Sequence, residues 1–215
     1  MISRKTRLNV CKLYLILDTQ VCDYKRLWVV LQSGVNNGVD IVQLRDKLGT
    51  VQKARTFIAC AQRYLKGRIP FIVNDRADLA RIAGASGVHV GQDDLPVAAA
   101  RKICGRSLLV GKSCQTLAHV RAAYHEGADY AGFGSVYKTQ TKPDRSPMDM
   151  DVLRKAARYA AGVELPLFAI GGITQENLAR VRACGVTRIA VCREILLAQD
   201  PARASRELKT LLISN

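Results

Sequence analysis

The segment Phe71–Pro96, FIVNDRADLARIAGASGVHVGQDDLP, contains two short apolar runs separated by one stretch of helical character. The first run is followed by Asn74 and Asp75, and the second, Gly87–Val90, is followed within four residues by Asp94. If both runs are parallel strands, the two carboxylates lie side by side at one edge of a sheet. Mg²⁺ commonly binds one or two carboxylates together with substrate phosphates, so the segment predicts a Mg²⁺ site beside a phosphorylated ligand. The alternative role for Asp75 is that of a helix N-cap.

Similar apolar runs occur on both sides of this segment at near-regular intervals. The eight predicted strands are Leu13–Leu17, Ile41–Leu44, Phe71–Val73, Gly87–Val90, Leu108–Val110, Tyr130–Phe133, Leu167–Ile170 and Arg188–Val191. The predicted helices are Tyr24–Asn37, Val51–Leu65, Ala77–Ala83, Pro96–Ile103, Leu117–Glu126, Met150–Ala161, Gln175–Ala183 and Ala202–Leu212. Eight units in 215 residues give about 27 residues per unit, which suits a βα repeat.

This order of elements predicts an α/β fold, a single-domain (β/α)8 TIM barrel over residues 1–215, with residues 1–12 as a short N-terminal extension. An open doubly wound sheet is the second choice, but it favours a glycine-rich turn after its first strand. The residues that follow the first strand, Asp18-Thr19-Gln20, include no glycine. In a barrel, catalytic groups gather at the C-terminal ends of the strands.

The second strand ends in Gln43-Leu44-Arg45-Asp46-Lys47. The two-residue period of a strand places Gln43, Arg45 and Lys47 on one face. Arg45 and Lys47 are suited to an anionic leaving group, since one offers a planar fork and the other a point charge. Gln43 can hydrogen-bond the edge of a heterocycle. The alternative is an exposed strand end that merely carries charges.

Two loops have the composition of phosphate-binding segments. The sequence TQTKP at 139–143 combines hydroxyls with Lys142, and such a loop can close over a phosphate or pyrophosphate. The pair Gly171-Gly172 lets the backbone approach a ligand closely. With the loop after the eighth strand, this pair matches the recurrent phosphate site of these barrels. A mobile surface loop and an ordinary turn are the respective alternatives.

His89 and Ser113 are ambiguous from sequence. His89 alternates with Val88 and Val90, so it points toward the barrel interior or mouth, either as a core histidine or as a ligand contact. Ser113 has no base near it in the sequence, which gives no support to nucleophilic catalysis by a triad.

Composition indicates an ordinary globular protein, with 48% hydrophobic and 24% charged residues. No apolar run approaches the roughly 20 residues that cross a bilayer, and the apolar part of the N-terminus is too short for a signal peptide. The seven cysteines are scattered without a CxxC pair. We therefore expect a cytoplasmic protein whose cysteines are mostly small core residues.

The formal net charge of +15 allows two interpretations. Nucleic-acid binding would require clustered Lys and Arg, whereas here these residues are dispersed and only 6% of residues are aromatic. Attraction of anionic, phosphorylated substrates is the other interpretation. The charge supports a phosphate ligand, and a nucleic-acid-binding protein ranks as the third hypothesis for the chain.

Six strings in fixed order, QLRDK, FIVND, GVHVGQDD, GKS, YKTQTKP and AIGGI, make the chain resemble the thiamine-phosphate synthase (thiamine-phosphate pyrophosphorylase) family from about Leu13 to Ile195. The resemblance implies a Mg²⁺-dependent transferase of thiamine biosynthesis. Such an enzyme joins 4-amino-2-methyl-5-hydroxymethylpyrimidine diphosphate to 4-methyl-5-(2-phosphoethyl)thiazole, or its carboxythiazole form, giving thiamine phosphate and pyrophosphate. Loss of pyrophosphate is dissociative, and the thiazole nitrogen captures the resulting pyrimidinyl-methyl cation.

The resemblance also implies residue roles. Asp75 and Asp94 bind Mg²⁺, and Arg45, Lys47 and Lys142 act on the diphosphate as catalytic groups. The residues implied to contact the pyrimidine diphosphate are Gln43, Arg45, Lys47, Asn74, Ser113 and Lys142. Those implied to contact the thiazole phosphate are Thr139, Thr141, Gly172, Cys192 and Arg193.

Two positions depart from the family pattern. Gln115 stands where a histidine is common, and Cys192-Arg193 stands where Val-Ser is common. Backbone N–H donation survives the second change, and the arginine could add a phosphate contact.

Thiazole-tautomerase paralogues, which bind thiazole phosphate without the coupling reaction, are the second hypothesis. They use a histidine at position 115 and lack the carboxylate pair, so the synthase is favoured. The expected partners are small phosphorylated molecules without nucleic acid or membrane, and the oligomeric state stays open, a small homo-oligomer included.

Overall fold

The computed structural model describes residues 8–141 and 146–214. Eight parallel strands close into a barrel in sequence order, and the last strand pairs with the first. The prediction of a (β/α)8 barrel is confirmed. The strands are β1 (Leu13–Asp18), β2 (Ile41–Arg45), β3 (Phe71–Asn74), β4 (Gly87–Val90), β5 (Leu109–Cys114), β6 (Tyr130–Phe133), β7 (Leu167–Ile170) and β8 (Ile189–Val191).

Helices follow the strands around the barrel. They are α1 (Tyr24–Val35), α2 (Val51–Leu65), α3 (Ala77–Ile82), α4 (Val97–Cys104), α5 (Leu117–His125), α6 (Met150–Gly162), α7 (Leu178–Arg182), α8 (Arg193–Leu196) and α9 (Pro201–Ile213). Several begin at a side-chain cap; Asp200, for example, accepts a hydrogen bond from Arg203 N, and Pro201 occupies the first turn. Within residues 8–141 and 146–214, no helix has both the length and the apolar character that a membrane span requires.

Successive side chains along each strand point alternately outward and inward, and this separates two hydrophobic cores. On β1, Leu13, Leu15 and Leu17 pack outward against the helices, whereas Tyr14 and Ile16 point into the barrel. The interior core consists of Leu8, Cys11, Tyr14, Ile16, Ile41, Ile72, Leu109, Tyr130, Phe168 and Ala190. Because large side chains fill it, the barrel is a packed core whose free space lies at its mouth.

The fifth strand differs from the prediction. It runs from Leu109 to Cys114, whereas the predicted strand was Leu108–Val110. Gly111 interrupts the apolar run in the sequence, yet Gly111 and Lys112 pair with β4 on one side, and the backbone from Gly111 to Cys114 pairs with β6 on the other. Pairing with β6 thus extends the strand beyond its apolar part. The short helix α8 was also not predicted.

Candidate active site

A cavity of about 570 Å³ lies where the C-terminal ends of the strands meet. This volume is in the range of small-molecule sites. Its walls combine apolar and polar side chains from most of the strands and from the loops that follow them. Nine residues predicted from sequence line it: Gln43, Arg45, Asn74, Ser113, Thr139, Thr141, Gly172, Cys192 and Arg193.

Three other predicted residues lie beside the cavity without lining it. Asp75 directly follows the lining residue Asn74, and its carboxylate forms an ion pair with the ammonium of Lys47. Asp94 interacts in turn with Asp75. The remaining predicted residue, Lys142, lies outside the described residues.

Asp75 and Asp94 lie next to each other, and their side chains interact. Burial first, and the proximity of Asp94 second, raise the pKa of Asp75 above its ordinary value, while Lys47 opposes the shift. Asp75 has a positive φ of 61°, and its N–H donates to His89 O at 2.8 Å. The alternative role as helix cap is wrong, since Arg76 occupies the N-cap position of α3.

Asp94 is held in place by the backbone. Its Oδ2 accepts from Gly91 N at 2.8 Å, and Lys112 Nζ donates to Gly91 O at 2.8 Å. Burial would raise the pKa of Asp94, but the interaction with Asp75, the Gly91 N–H and the charges of Lys47 and Lys112 together lower it. Two close carboxylates can bind a hard cation, and the two ammonium groups beside them can balance the charge of an anionic ligand.

The donor set fits Mg²⁺ better than a transition metal. No group of three or more His, Cys, Asp or Glu side chains that could hold a metal occurs in the part of the chain that the structure describes. A structural zinc site needs four such ligands, whereas Mg²⁺ is satisfied by one or two carboxylates with water and phosphate oxygens. Asp75 and Asp94 provide that smaller set.

Arg45 is anchored at the cavity wall by a residue that the sequence analysis missed. Its Nη1 lies 2.7 Å from Asp18 Oδ2 and 2.6 Å from Gln20 Oε1. The side chain of Asp18 is fully buried at the end of β1. The signal was available, because a carboxylate ends an apolar strand there just as it does near Asp75. The anchored guanidinium keeps further N–H donors for a ligand.

The next residue in the string, Asp46, has a structural role. It does not line the cavity but accepts hydrogen bonds from Thr19 Oγ1 and Gly49 N, both at 2.8 Å, and from the hydroxyl of Tyr24. These bonds fix the loop after β2. Two residues of QLRDK, Gln43 and Arg45, therefore reach the cavity, while Asp46 holds the loop in place.

Hydrogen bonds link side chains across the barrel interior. Gln43 Nε2 donates to Tyr14 OH at 2.7 Å, and Tyr14 OH lies 3.0 Å from Tyr130 OH. His89 is 3.2 Å from Tyr130 OH through Nδ1 and 2.9 Å from Ser113 Oγ through Nε2. His89 thus points into the barrel and lines the cavity. The two tyrosines were missed because an aromatic residue in an apolar strand resembles ordinary core.

A glycine loop forms another wall. Gly171 and Gly172 have φ values of 105° and 63°, which favour glycine. A Cβ at Gly172 would lie 2.6 Å from Lys138 O, so a side chain there would clash with the loop after β6. Asn177 Nδ2 donates to Gly172 O at 2.8 Å and holds this turn. Cys192 and the start of α8 complete the wall.

The departure at position 115 falls beside the cavity, not in its wall. Gln115 is not a lining residue, and its backbone N–H donates to His119 Nδ1 at 3.4 Å. Cys192 and Arg193, the other departure, do line the cavity. Only the second departure therefore changes the surface that a ligand would contact.

Comparisons with known proteins agree on one family. The family model of thiamine monophosphate synthase matches residues 13–195. Thiamine-phosphate synthase of Synechococcus sp. strain WH7803 is 42% identical over 97% of this chain, and that of Chloroflexus aurantiacus is 37% identical over 94%. The chain spans 59% of the length of the Synechococcus relative and 92% of the Chloroflexus relative.

A solved structure gives the same result. Thiamine phosphate pyrophosphorylase from Pyrococcus furiosus superposes with a TM-score of 0.84 at 29% identity, with 96% of each chain covered. The family resemblance drawn from the six sequence strings is thereby confirmed. The chain belongs to the thiamine monophosphate synthase family.

Proposed function

We propose that this protein joins 4-amino-2-methyl-5-hydroxymethylpyrimidine diphosphate to 4-methyl-5-(2-phosphoethyl)thiazole, giving thiamine phosphate and pyrophosphate. The observation that carries the proposal is that one cavity is bordered by two regions suited to anions. One region contains Arg45 and the acidic pair with Lys47, and the other contains the loop at Gly172. A reaction between two phosphorylated heterocycles needs both regions.

The acidic pair is the proposed Mg²⁺ site. Asp75 and Asp94 would hold the ion, which when bound supplies charge neutralisation for the diphosphate leaving group. A cation held there would offset the repulsion between the two carboxylates, which Lys47 compensates in part. Lys47 can then turn its ammonium toward the diphosphate.

The proposed chemistry needs stabilisation of charge but no general base. The bond between the pyrimidine methylene carbon and the diphosphate oxygen breaks, and its electron pair leaves with pyrophosphate. Arg45 and Lys47, with Lys142 as a further proposed contact, stabilise that developing charge. The thiazole nitrogen then donates its lone pair to the methylene cation and forms the new C–N bond. With the carboxylated thiazole, the bond to CO₂ then breaks, its electron pair stays on the thiazolium carbon, and a proton from water takes the place of the CO₂ that leaves.

The inner wall protects the reactive cation. Tyr14, Phe168 and Ile170 line the same cavity as Gln43 and Ser113, so a pyrimidine ring bound there would contact mainly apolar groups and few polar ones. Excluding water matters because water would capture the cation before the thiazole does. We propose Gln43 and Ser113 as the polar contacts of the ring, with Asn74 close to the diphosphate.

The glycine loop is the proposed site for the thiazole phosphate. Phosphate sites in these barrels recur at the loops after β7 and β8, next to a short extra helix, as Gly172, Cys192 and α8 are arranged here. The side chain of Arg193 adds a positive charge at that wall, and Thr139 and Thr141 add hydroxyls. We expect both partners to be small molecules and the reaction to be cytoplasmic.

The test is release of pyrophosphate. Purified protein is mixed with both substrates, with Mg²⁺ or with a chelator, and pyrophosphate is measured over time. We expect release only when both substrates and the metal are present. Binding of thiazole phosphate without any release would overturn the proposal and identify a paralogue without coupling activity, which the names of the matching relatives do not favour.

A further inference from the structure

We propose that Lys112 is a positioning residue for the metal site. Its ammonium holds Gly91 through the backbone carbonyl, and the backbone N–H of Gly91 holds Asp94 beside Asp75. Lys112 does not line the cavity, so it acts through the loop after β4 and not by contact with a substrate. The inference deepens the proposed function, because it rests on the proposed Mg²⁺ site and adds a residue that supports it.

Lys112 is a charged residue in a buried place. It lies on β5, where it pairs with Val90 of β4, and it shares the outward face of its strand with Val110 and Cys114. Only 8% of its surface is exposed. Lysine is rarely buried without a partner, because removing an ammonium from water costs free energy. The groups that compensate this cost therefore indicate the role of the side chain.

Two hydrogen bonds at Gly91 connect Lys112 with Asp94. Lys112 Nζ donates to Gly91 O at 2.8 Å, and Gly91 N donates to Asp94 Oδ2, also at 2.8 Å. Gly91 comes directly after β4, beyond the last pair that this strand forms with β5. The lysine thereby fixes the orientation of a residue that the pairing of the two strands does not include.

Two further contacts hold the loop after β4 close to β5 and to Asp94. A Cβ at Gly91 would lie 2.6 Å from Asp94 Oδ2, so the carboxylate packs directly against the glycine. The side chain of Gln92 donates to the backbone oxygen of Ser113, which follows Lys112. The loop is thus tied to β5 at successive residues, and a shift of Gly91 would move the Asp94 carboxylate with it.

The two lysines near the acidic pair differ in their surroundings. The side chain of Lys47 is 42% exposed and forms an ion pair with Asp75 directly. Lys112 is buried and bonded to the backbone. A side chain locked by its own contacts can hold a binding group in place, whereas an exposed one can move when a ligand arrives. Lys112 therefore belongs to the support of the site.

Lys112 has two effects on a cation bound by Asp94, and they have opposite signs. Its charge interacts with Asp94 and repels a cation there, so loss of the charge alone would tighten binding. Loss of the positioning bond would weaken binding, since groups that hold a metal-binding carboxylate typically change metal affinity by about 10–100-fold. Positioning is the larger effect, because Asp94 is partly exposed and water weakens the repulsion.

The experiment measures binding of Mn²⁺ to the substrate-free protein by electron paramagnetic resonance, which counts the free ion. Mn²⁺ is the probe because it prefers the same oxygen ligands as Mg²⁺. Lys112→Met and Lys112→Val both remove the ammonium, and the first keeps the length of the side chain while the second suits a strand. Either variant alone is sufficient, provided that thermal melting shows it to be folded.

Two further variants serve as references. Lys112→Arg keeps a positive charge and N–H donors at the same position. Lys209→Met is the matched control, since Lys209 Nζ donates to Asp40 Oδ1 at 2.6 Å where β2 begins, at the opposite end of the barrel. Its removal also takes away a lysine that ties a loop, but one remote from the acidic pair.

We expect Lys112→Met and Lys112→Val to raise the dissociation constant for Mn²⁺ by about tenfold. Lys112→Arg and Lys209→Met should bind Mn²⁺ as the wild type does. An unchanged or lower dissociation constant in a folded variant without the ammonium would overturn the inference, and so would an equal loss in Lys112→Arg.

The result is separate from the test of the proposed function. Wild-type protein that binds no Mn²⁺ would remove the metal site itself, and this inference with it. If the wild type binds Mn²⁺, the comparison of variants decides the role of Lys112 whether or not pyrophosphate is released, because no substrate is present.

Discussion

Arg45 Nη1 lies 2.7 Å from a carboxylate oxygen of Asp18, whose side chain is completely buried at the end of β1. The pair joins the ends of two neighbouring strands. It fixes the guanidinium at the cavity wall, where a freely rotating arginine would lose entropy on binding a ligand. Asp18 also accepts from Gln20 N at 2.9 Å, which holds the first turn after β1.

We expect Asp18→Asn to raise the KM for the pyrimidine diphosphate by about tenfold, since a charge-assisted hydrogen bond to Arg45 becomes a neutral one. Asp78→Asn is the control, because its ion pair with Arg76 is exposed to solvent. The KM of each variant is measured from the steady-state rate of pyrophosphate release. Equal effects of the two substitutions would show that Asp18 does not position Arg45.

The acidic pair can be tested against a neighbouring carboxylate. Asp94→Ala should lower Mg²⁺-dependent turnover by roughly 100-fold, since charge stabilisation by a metal contributes several kcal/mol. Asp93→Ala, one residue away and exposed, should keep turnover near the wild-type value. Circular dichroism establishes the fold of both variants. Full activity of Asp94→Ala would remove this residue from the metal site.

Two glycines with left-handed backbone offer a matched comparison, because Gly172 lines the cavity at the proposed phosphate site and Gly185 does not. Gly172→Ala and Gly185→Ala both force alanine into positive φ, at a cost of about 1–2 kcal/mol. Only at Gly172 would the added Cβ meet the neighbouring loop, whereas the space around Gly185 is open. We expect both to lower the melting temperature.

The KM for the thiazole phosphate separates the two variants. Gly172→Ala should raise it by at least about tenfold, because the loop must shift to relieve the clash. Gly185→Ala should leave it unchanged. If both variants bind thiazole phosphate as the wild type does, the glycine loop at Gly171-Gly172 is not the phosphate site.

The contribution of Asp46, in the loop after β2, to the stability of the fold should depend on pH. Burial opposes ionisation, but hydrogen bonds from Tyr24, Thr19 and Gly49 lower the pKa of Asp46 below its ordinary 3.8. A carboxyl with a lowered pKa in the folded state stabilises the fold above its unfolded pKa, and this contribution is lost as pH falls through the folded value.

We therefore expect Asp46→Asn to reduce the free energy of unfolding by about 1–2 kcal/mol at pH 7, and the difference to shrink as pH falls below the ordinary pKa of 3.8 and through the lowered folded value. Urea unfolding over a series of pH values measures it. Asp23→Asn, at an exposed helix cap, is a control that changes one carboxylate elsewhere. A difference for Asp46→Asn that persists at low pH would mean that its charge is not the cause.

Much of the architecture could be predicted from the chain itself. The predicted bounds of β4, β6, β7 and α2 are those of the structure, because apolar runs of strand length alternate with amphipathic stretches. The end of β5 was not predictable in this way, since Lys112 is polar and its burial depends on neighbouring strands. The short helix α8 was likewise not predicted, because its formation depends on the path of the chain after β8.

Strand periodicity and short local strings were enough to predict the barrel, the family and nine of the residues that line the cavity. Which side chains hold those residues in place depends on tertiary contacts. Asp18 meets Arg45 across 27 residues and Tyr14 meets Tyr130 across 116. Such contacts arise when the barrel closes and strands distant in sequence enter one interior layer. No local pattern specifies which side chains meet, so the contact between the two tyrosines and the pairing of Asp18 with Arg45 emerged only from the fold.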